Sequence, residues 1–189
     1  MGLLLLLYST PEEILAKSEG VCRIMAQLKH YRNPFSQMTR LCREALEYLL
    51  PLNAHIVLGN RVQVGMTHWP SFKRHTVRGS FETREKLIEA LLVSAYIPGF
   101  FLSFPHPDYP NFVDGGFSHS YCKRPELSVV VTVAKYPDSD VWSDGGMFHL
   151  NLMGYEEYMG LFWKGVESAG RKHEVIVEKL RRGGMYRGE

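Results

Sequence analysis

This chain has few cysteines, a small net charge and only short apolar runs. Its three cysteines (Cys22, Cys42 and Cys122) lack the spacing of a metal or redox site, which favours free thiols in a reducing compartment. The net charge of +2 is too small to indicate nucleic acid or a strongly anionic membrane as a partner. The apolar run at residues 2–8 is too short to span a bilayer and has no basic residue before it, unlike a signal peptide. We therefore expect a cytoplasmic protein.

Several catalytic and binding motifs are also absent from the sequence. No serine has a glycine two residues away on both sides, so the chain contains no Gly-x-Ser-x-Gly nucleophile elbow. It contains no Gly-rich phosphate loop, and its eight histidines show no paired ligand spacing. We therefore expect no cofactor and no bound metal. At 189 residues and 45% hydrophobic content, the chain can bury the core of a globular domain.

Helical patterns alternate with strand-like ones along the chain, which indicates an α/β fold. Three helix starts are predicted from capping residues. Thr10 and Glu13 have the spacing of a capping box, and Ser36 and Thr83 are each placed to cap a further helix.

Strands are predicted where apolar residues alternate or run together. Residues 61–68 predict a strand and residues 75–78 its return strand, whereas the apolar run at 127–133 is typical of a strand buried on both faces. Residues 155–169 predict an amphipathic helix packed on the domain, with a membrane-surface helix as the alternative. Its apolar stripe would consist of Tyr155, Met159, Phe162, Val166 and Ala169.

An aspartate stands at the end of a short apolar strand within residues 109–116 (YPNFVDGG). Asp114 is followed by Gly115 and Gly116, and glycine permits positive φ and close backbone approach. This arrangement predicts a carboxylate on a tight, open turn, where it can reach another catalytic group or a ligand. The alternative is an aspartate that caps its own turn. A second Asp-Gly-Gly, at Asp144, shows how readily the tripeptide recurs.

Residues 81–116 together resemble the patatin-like lipid acyl hydrolases. In that family a helix end with small residues and Ile-Pro, here residues 94–98 (SAYIP), is followed by an Asp-Gly-Gly or Asp-Gly-Ala loop. Residues 43–51 (REALEYLLP) and 59–64 (GNRVQV) are similar to the animal branch that includes adiponutrin and adipose triglyceride lipase. The resemblance runs from residue 2 to residue 140.

The resemblance implies a patatin-like three-layer α/β/α domain over residues 1–150, followed by a helical extension over 151–189. It implies a lipid acyl hydrolase of the phospholipase or triacylglycerol lipase type, which uses no metal or organic cofactor. Asp114 would accept the proton of a nucleophilic serine, and Gly115 and Gly116 would complete the motif. The implied partners are a lipid ester substrate and a membrane or lipid-droplet surface, and no nucleic acid.

The chain departs from this family pattern on both sides of the aspartate. The elbow serine and the Gly-rich oxyanion turn are missing, so the domain would lack its N-terminal strand and elbow, and the chain alone would be inactive. Ser118 lies four residues after Asp114 in the same loop and not on a strand-to-helix elbow, which makes it a poor nucleophile. Ser120 and Cys122 stand where the family often has Asn and Pro.

The first two residues bear on which function is expected. Met1 and Gly2 match the positions directly after an elbow serine, which predicts a natural protein with a longer N-terminus; the alternative is a true initiator before an apolar helix. Two functions stay open accordingly. One is the hydrolase, and the other is a non-catalytic lipid-surface or protein-interaction module derived from the family. The coding sequence upstream of Met1 would distinguish them.

Overall fold

Two compact units divide the chain, Gly2–Ser120 and Tyr121–Glu189 together with Met1. The computed structural model describes residues 7–8, 10–59, 62–78, 81–99, 108–118, 131–132, 141–142 and 153–182. The strand predicted at 127–133 is described only at Val131–Thr132, and Asp144 lies outside the described residues. Within these ranges the helices and strands form a mixed fold that is consistent with the expected α/β class.

The first described helix, α1 (Pro11–Ala26), begins at its predicted cap. Thr10 Oγ1 accepts a hydrogen bond from Glu13 N at 3.2 Å, and the Glu13 carboxylate accepts one from Thr10 N at 3.3 Å. The predicted capping box is therefore confirmed. A short 3₁₀ helix, Gln27–His30, follows α1 directly.

The second helix, α2 (Phe35–Leu49), begins earlier than its predicted cap allows. Pro34 precedes it with φ −63° and ψ −30°, which are already helical values. Proline favours the first helical turn because its ring sets φ near this value. Ser36 therefore lies inside the first turn, where its hydroxyl donates to Asn33 O at 2.7 Å. The prediction of Ser36 as the cap was wrong.

Two further helices are described in this unit, α3 (Ala54–Leu58) and α4 (Arg84–Ser94). The predicted cap of α4 is confirmed, since Thr83 Oγ1 accepts from Lys86 N at 3.2 Å. The Arg84 guanidinium donates to the Leu50 carbonyl at 2.8 Å and so satisfies an acceptor just past the end of α2. Helices α2 and α4 are thereby joined through a backbone carbonyl.

A three-stranded antiparallel sheet lies in the same unit, with β1 (Gln63–His68) between β2 (Lys73–Arg78) and β3 (Phe112–Asp114). The strand predicted at 61–68 is confirmed for its last six residues, and the return strand begins two residues earlier than predicted. In the register of β1 and β3, Met66 lies opposite Asp114. The topology thus places the aspartate beside the central strand.

The main core lies between helices α2 to α4 and the central strand β1. Met66 in β1 and Leu87 in α4 are large side chains of this core that are 0% exposed. The other buried residues of this core are Leu50, Ala54, Leu58, Val64, Phe81, Ile88, Ala90, Leu92 and Val93. A smaller cluster of Leu28, Met38 and Leu41 packs α2 against the end of α1. These contacts support the end of α4 and the middle of β1, from which the site is built.

The second unit contains helices α5 (Tyr155–Arg171) and α6 (His173–Arg182) and a short parallel pair, β4 (Val131–Thr132) with β5 (Val141–Trp142). The predicted helix at 155–169 is confirmed, and it extends to Arg171. No helix in the described part of the chain combines the length and apolarity needed to cross a membrane.

The apolar stripe predicted for α5 is only partly buried. Met159 is 7% exposed, whereas Val166 is 43% exposed, so the prediction was wrong at Val166. Ser168 is buried in its place, at 1% exposed. Nine residues are two and a half helical turns, so Met159 and Ser168 lie on opposite faces. The buried face therefore changes along the helix, which a single stripe cannot describe. Phe162 is half-buried.

Candidate functional site around Asp114

Asp114 is the last residue of β3, as predicted, and a tight turn follows it. Residues Gly115–Ser118 form a turn of 3₁₀ helix. Among the described glycines, positive φ occurs only at Gly59 and Gly99. Gly115 and Gly116 therefore do not use the left-handed region that glycine permits, because a 3₁₀ turn has right-handed dihedral angles.

Close backbone approach is nevertheless required at the first motif glycine. A Cβ atom at Gly115 would lie 2.4 Å from the carbonyl oxygen of Gly65, in the middle of β1. Only glycine allows the end of β3 to lie this near the central strand. The same Gly65 oxygen accepts a hydrogen bond from Ser94 Oγ at 2.6 Å. Gly65 thus connects the aspartate loop to the end of α4.

The backbone of Asp114 is held from two sides. Its N–H donates to Tyr96 O at 2.8 Å, just past the end of α4. Its carbonyl oxygen accepts from Thr67 Oγ1 at 2.7 Å. Both polar backbone groups are satisfied by neighbouring elements, so the position of the aspartate follows from the packing of α4 and β1 rather than from its own loop.

Two hydroxyl groups lie beneath this loop. Thr67 is 0% exposed, and its Oγ1 lies 3.0 Å from Ser118 Oγ, which in turn lies 3.2 Å from Gly115 O. Each hydroxyl carries one proton, so together they donate to two of the three nearby oxygen acceptors at any time. Among the described residues, Ser118 Oγ forms hydrogen bonds with Thr67 and the backbone and none with the Asp114 carboxylate.

The two oxygens of the Asp114 carboxylate have different surroundings. Oδ1 accepts from Gly116 N at 2.6 Å, which is the turn-capping contact of the alternative interpretation. Oδ2 has no hydrogen-bond partner among the described residues. Burial raises the pKa of the Asp114 carboxyl above its ordinary value, and the hydrogen bond from Gly116 N–H opposes that rise. The side chain is therefore oriented through one oxygen and has the other available.

Four of the residues that position Asp114 were not identified from the sequence as part of the site: Gly65, Thr67, Ser94 and Tyr96. Gly65 carried a usable signal, because a glycine inside a strand often marks close backbone approach. Thr67 carried none, since strand alternation assigns a face and not a partner. In the described part of the chain, no three His, Cys, Asp or Glu side chains converge to hold a metal ion.

Several curated proteins are similar to parts of this chain. The chain is 25% identical over 125 residues to 1-acylglycerol-3-phosphate O-acyltransferase Pnpla3 of Mus musculus, covering 64% of this chain and 30% of that protein. It is 35% identical over 104 residues to patatin-like phospholipase domain-containing protein 4 of Homo sapiens, covering 54% of this chain and 39% of that protein.

A third relative is patatin-like phospholipase domain-containing protein 5 of Mus musculus. Its identity to this chain is 35% over 80 residues, which cover 41% of this chain and 18% of that protein. The chain thus spans less than half the length of each of these relatives. No protein-family model and no solved structure matches the chain.

Proposed function

Because this chain belongs to the patatin-like phospholipase domain family, we propose that it is part of a lipid acyl hydrolase in which Asp114 accepts the proton of a nucleophilic serine. Gly115 and Gly116 complete its Asp-Gly-Gly motif. The geometry of the carboxylate carries this proposal. Gly116 N–H holds Oδ1, and Oδ2 has no partner among the described residues, so a serine hydroxyl could bind there.

The proposed reaction proceeds in two steps. Serine Oγ attacks the ester carbonyl carbon while Asp114 takes the Oγ proton; the alcohol then leaves with that proton and the acyl group stays on the serine. Water next attacks the acyl-enzyme and gives a proton to Asp114, which returns it to the serine as the fatty acid leaves. Burial raises the pKa of Asp114, which strengthens it as a base. The scheme uses no metal or organic cofactor.

The 189-residue sequence contains no serine that matches the nucleophile of this reaction. No serine of the chain lies in a Gly-x-Ser-x-Gly sequence, and no Gly-rich turn offers oxyanion donors. Each missing oxyanion donor is expected to lower the rate by about 10²–10³-fold. We therefore infer that the 189-residue chain alone hydrolyses acyl esters no faster than an unrelated control protein.

The proposal includes a fold and a location. The fold is the three-layer α/β/α domain over residues 1–150 with a helical extension over 151–189, supported by the mixed helices and strands. The location is the cytoplasm, at the periphery of membranes or lipid droplets. Cys22 and Cys42 carry free thiols, in agreement with a reducing compartment. Burial raises the pKa of Cys42 to about 11, which leaves that thiol unreactive.

The deciding experiment joins an elbow segment from a patatin-like relative in frame before Gly2. The joined protein is assayed for serine labelling by a fluorophosphonate and for hydrolysis of a soluble p-nitrophenyl ester. Asp114→Asn should lower turnover by about 10²–10⁴-fold, because asparagine keeps the shape of the side chain but cannot accept the proton. Adding 1-acylglycerol-3-phosphate tests acyl transfer, which the name of the mouse relative suggests.

The matched control for this experiment is Asp144→Asn, in the second Asp-Gly-Gly of the chain. It should leave turnover near the unsubstituted level. Equal loss from both substitutions would show that the wrong Asp-Gly-Gly had been chosen. Ester hydrolysis by the original chain that disappears on Ser118→Ala would refute the assigned mechanism. Circular dichroism of each variant shows whether folding is retained.

The second candidate function is a non-catalytic module that binds a lipid surface or a protein. The half-exposed aromatic side chains Trp69 and Phe72, on one turn of the sheet, favour it. Such a module would bind lipid vesicles without releasing fatty acid. A joined protein that labels with fluorophosphonate and turns over esters would exclude this candidate.

A further inference from the structure

The turn between β1 and β2, residues 69–72, presents two large aromatic side chains to solvent. Trp69 is 47% exposed and Phe72 is 51% exposed, and their rings meet edge to face at 5.1 Å between centroids. We propose that this turn, called here the hairpin tip, docks the protein on a bilayer surface that carries anionic lipids. The inference rests on the proposed function only for the choice of a lipid as the partner. It adds which residues contact that lipid.

The backbone of the hairpin tip is held in place by its neighbours. Trp69 N donates to Asn111 O at 2.7 Å, and Ser71 Oγ lies 2.8 Å from His68 Nδ1. Lys73 N also donates to Ser71 Oγ at 3.4 Å. These contacts close the turn through its polar groups and leave the two aromatic rings outside it. The rings are therefore displayed on a fixed support, which limits the entropy lost when they bind.

The backbone of Phe72 argues against a purely structural role for that residue. Its φ is +54°, in the left-handed region, which costs roughly 1–2 kcal/mol for a residue with a side chain. Glycine or asparagine would satisfy this turn more easily. A bulky apolar side chain at such a position is an outlier, and outliers of this kind cluster at functional sites.

The charge pattern around the hairpin tip selects the kind of surface. The chain holds 20 acidic residues, yet none lies between residues 48 and 81. Lys73 and Arg74 directly follow Phe72 at the start of β2, and Lys73 is exposed, whereas Arg78 pairs with Gln63 at the other end of the hairpin. The net charge of +2 for the whole chain conceals this local excess of positive charge. A basic residue close to an anionic leaflet contributes about 1 kcal/mol to binding.

A bilayer fits the hairpin tip better than a protein partner. A standard protein interface buries about 800 Å² on each side, which two half-exposed side chains cannot supply. Insertion into the interfacial region of a bilayer needs no complementary shape, and tryptophan concentrates there because its ring is apolar and its N–H is polar. The hairpin tip combines this side chain with a phenylalanine and an adjacent cation.

Vesicle flotation tests the proposal on the whole chain. Ether-linked phosphatidylcholine vesicles, with and without phosphatidylserine, report binding without hydrolysis. The chain should bind the phosphatidylserine vesicles more tightly, and Trp69→Ala with Phe72→Ala should weaken that binding by about tenfold or more, because the inserted apolar area is lost. Lys73→Gln should weaken it about fivefold on phosphatidylserine vesicles and little on phosphatidylcholine alone.

The matched control is Trp163→Ala, which removes a tryptophan of α5 that is 50% exposed. It should leave binding unchanged. Loss of binding in Trp163→Ala with normal binding in the hairpin-tip variant would place the lipid contact on α5 and overturn the proposal. Equal binding by wild type and hairpin-tip variant, or no binding of the chain to either vesicle, would overturn it as well.

The result is separable from the fate of the proposed hydrolase. An elbow-joined protein that cleaves a soluble p-nitrophenyl ester but does not float with vesicles would refute the docking surface and leave the chemistry standing. A chain that floats through its hairpin tip while the joined protein stays inactive would refute the hydrolase and support the docking surface.

Discussion

The C-terminal end of β3 and the hairpin tip belong to one three-stranded sheet, and they are built from opposite kinds of residue. At Asp114, small residues let two strands approach: a Cβ at Gly115 would lie 2.4 Å from the Gly65 oxygen. At the hairpin tip, Phe72 has positive φ without being a glycine, and two aromatic rings point outward. Close packing holds a carboxylate at one place, and exposure offers an apolar contact at the other.

The difference fits the two tasks proposed for this sheet. The proposed catalytic carboxylate needs a fixed position, and its backbone is bonded to Tyr96 and Thr67. A docking residue needs solvent on the free protein, so its ring lies outside the hydrogen bonds of its turn. The comparison predicts that substitutions at Asp114's neighbours change stability strongly, whereas those at the hairpin tip change mainly binding.

The largest effect is expected for Gly115→Ala. The new Cβ would meet backbone atoms of Gly65, which cannot rotate away, so unfolding free energy should fall by about 3 kcal/mol, the upper part of the range for overpacking. Gly116→Ala is the control, because its Cβ would meet the movable Asp114 carboxylate at 2.8 Å, and it should have a clearly smaller effect. Urea denaturation compares the two, and equal losses would contradict the close approach of β3 to β1.

A somewhat smaller effect is expected for Thr67→Val. Thr67 is fully buried, and valine removes the hydroxyl that donates to Asp114 O. A buried carbonyl left without its donor should lower the free energy of unfolding by about 1–2 kcal/mol. Thr67→Ser keeps the hydroxyl and should recover part of this loss in the same denaturation experiment. If serine were no better than valine, packing of the methyl group rather than the hydrogen bond would explain the effect.

Phe72→Gly and Phe72→Ala form a matched pair at the hairpin tip. Both lose the ring contact with Trp69, and only glycine relieves the positive φ. Phe72→Gly should therefore be more stable than Phe72→Ala by about 0.5–1 kcal/mol, since relief of the left-handed backbone exceeds the added entropy of the unfolded glycine. Thermal denaturation measures the difference. Both variants should bind vesicles equally weakly. If one bound vesicles more tightly than the other, the backbone of the turn rather than the ring would determine binding.

The smallest effect is the dependence of stability on pH at Asp114. Burial raises the folded pKa above the unfolded one, so the stabilisation by this group is complete below the unfolded pKa and is lost as pH rises through the folded pKa. Asp114→Asn stays neutral, so it should gain stability relative to wild type as pH rises above about 4, the ordinary pKa of an aspartate. Paired urea denaturation below and above this pH tests the sign, and a difference that shrinks with rising pH would contradict it.

The sequence predicted the starts of helices correctly where the capping contact joins residues that are close in the chain. The capping box of Thr10 with Glu13 and the cap at Thr83 are contacts between residues three apart, and both are confirmed. The cap at Ser36 was wrong because Pro34 starts the helical backbone before it. The stripe of α5 was wrong at Val166 because different faces of that helix are buried at its two ends.

The sequence by itself predicted the strand that ends at Asp114, because a short apolar run followed by Asp-Gly-Gly is a local pattern of a strand and a turn. The residue order did not indicate which groups hold that aspartate in place. Thr67 and Tyr96 bind its backbone from β1 and from just past the end of α4, 47 and 18 positions earlier in the chain, and Gly65, bound by Ser94, lies against the glycine that follows it. Contacts of this kind arise only when strands pair in one register and a helix packs across them, and residue order alone does not encode that pairing.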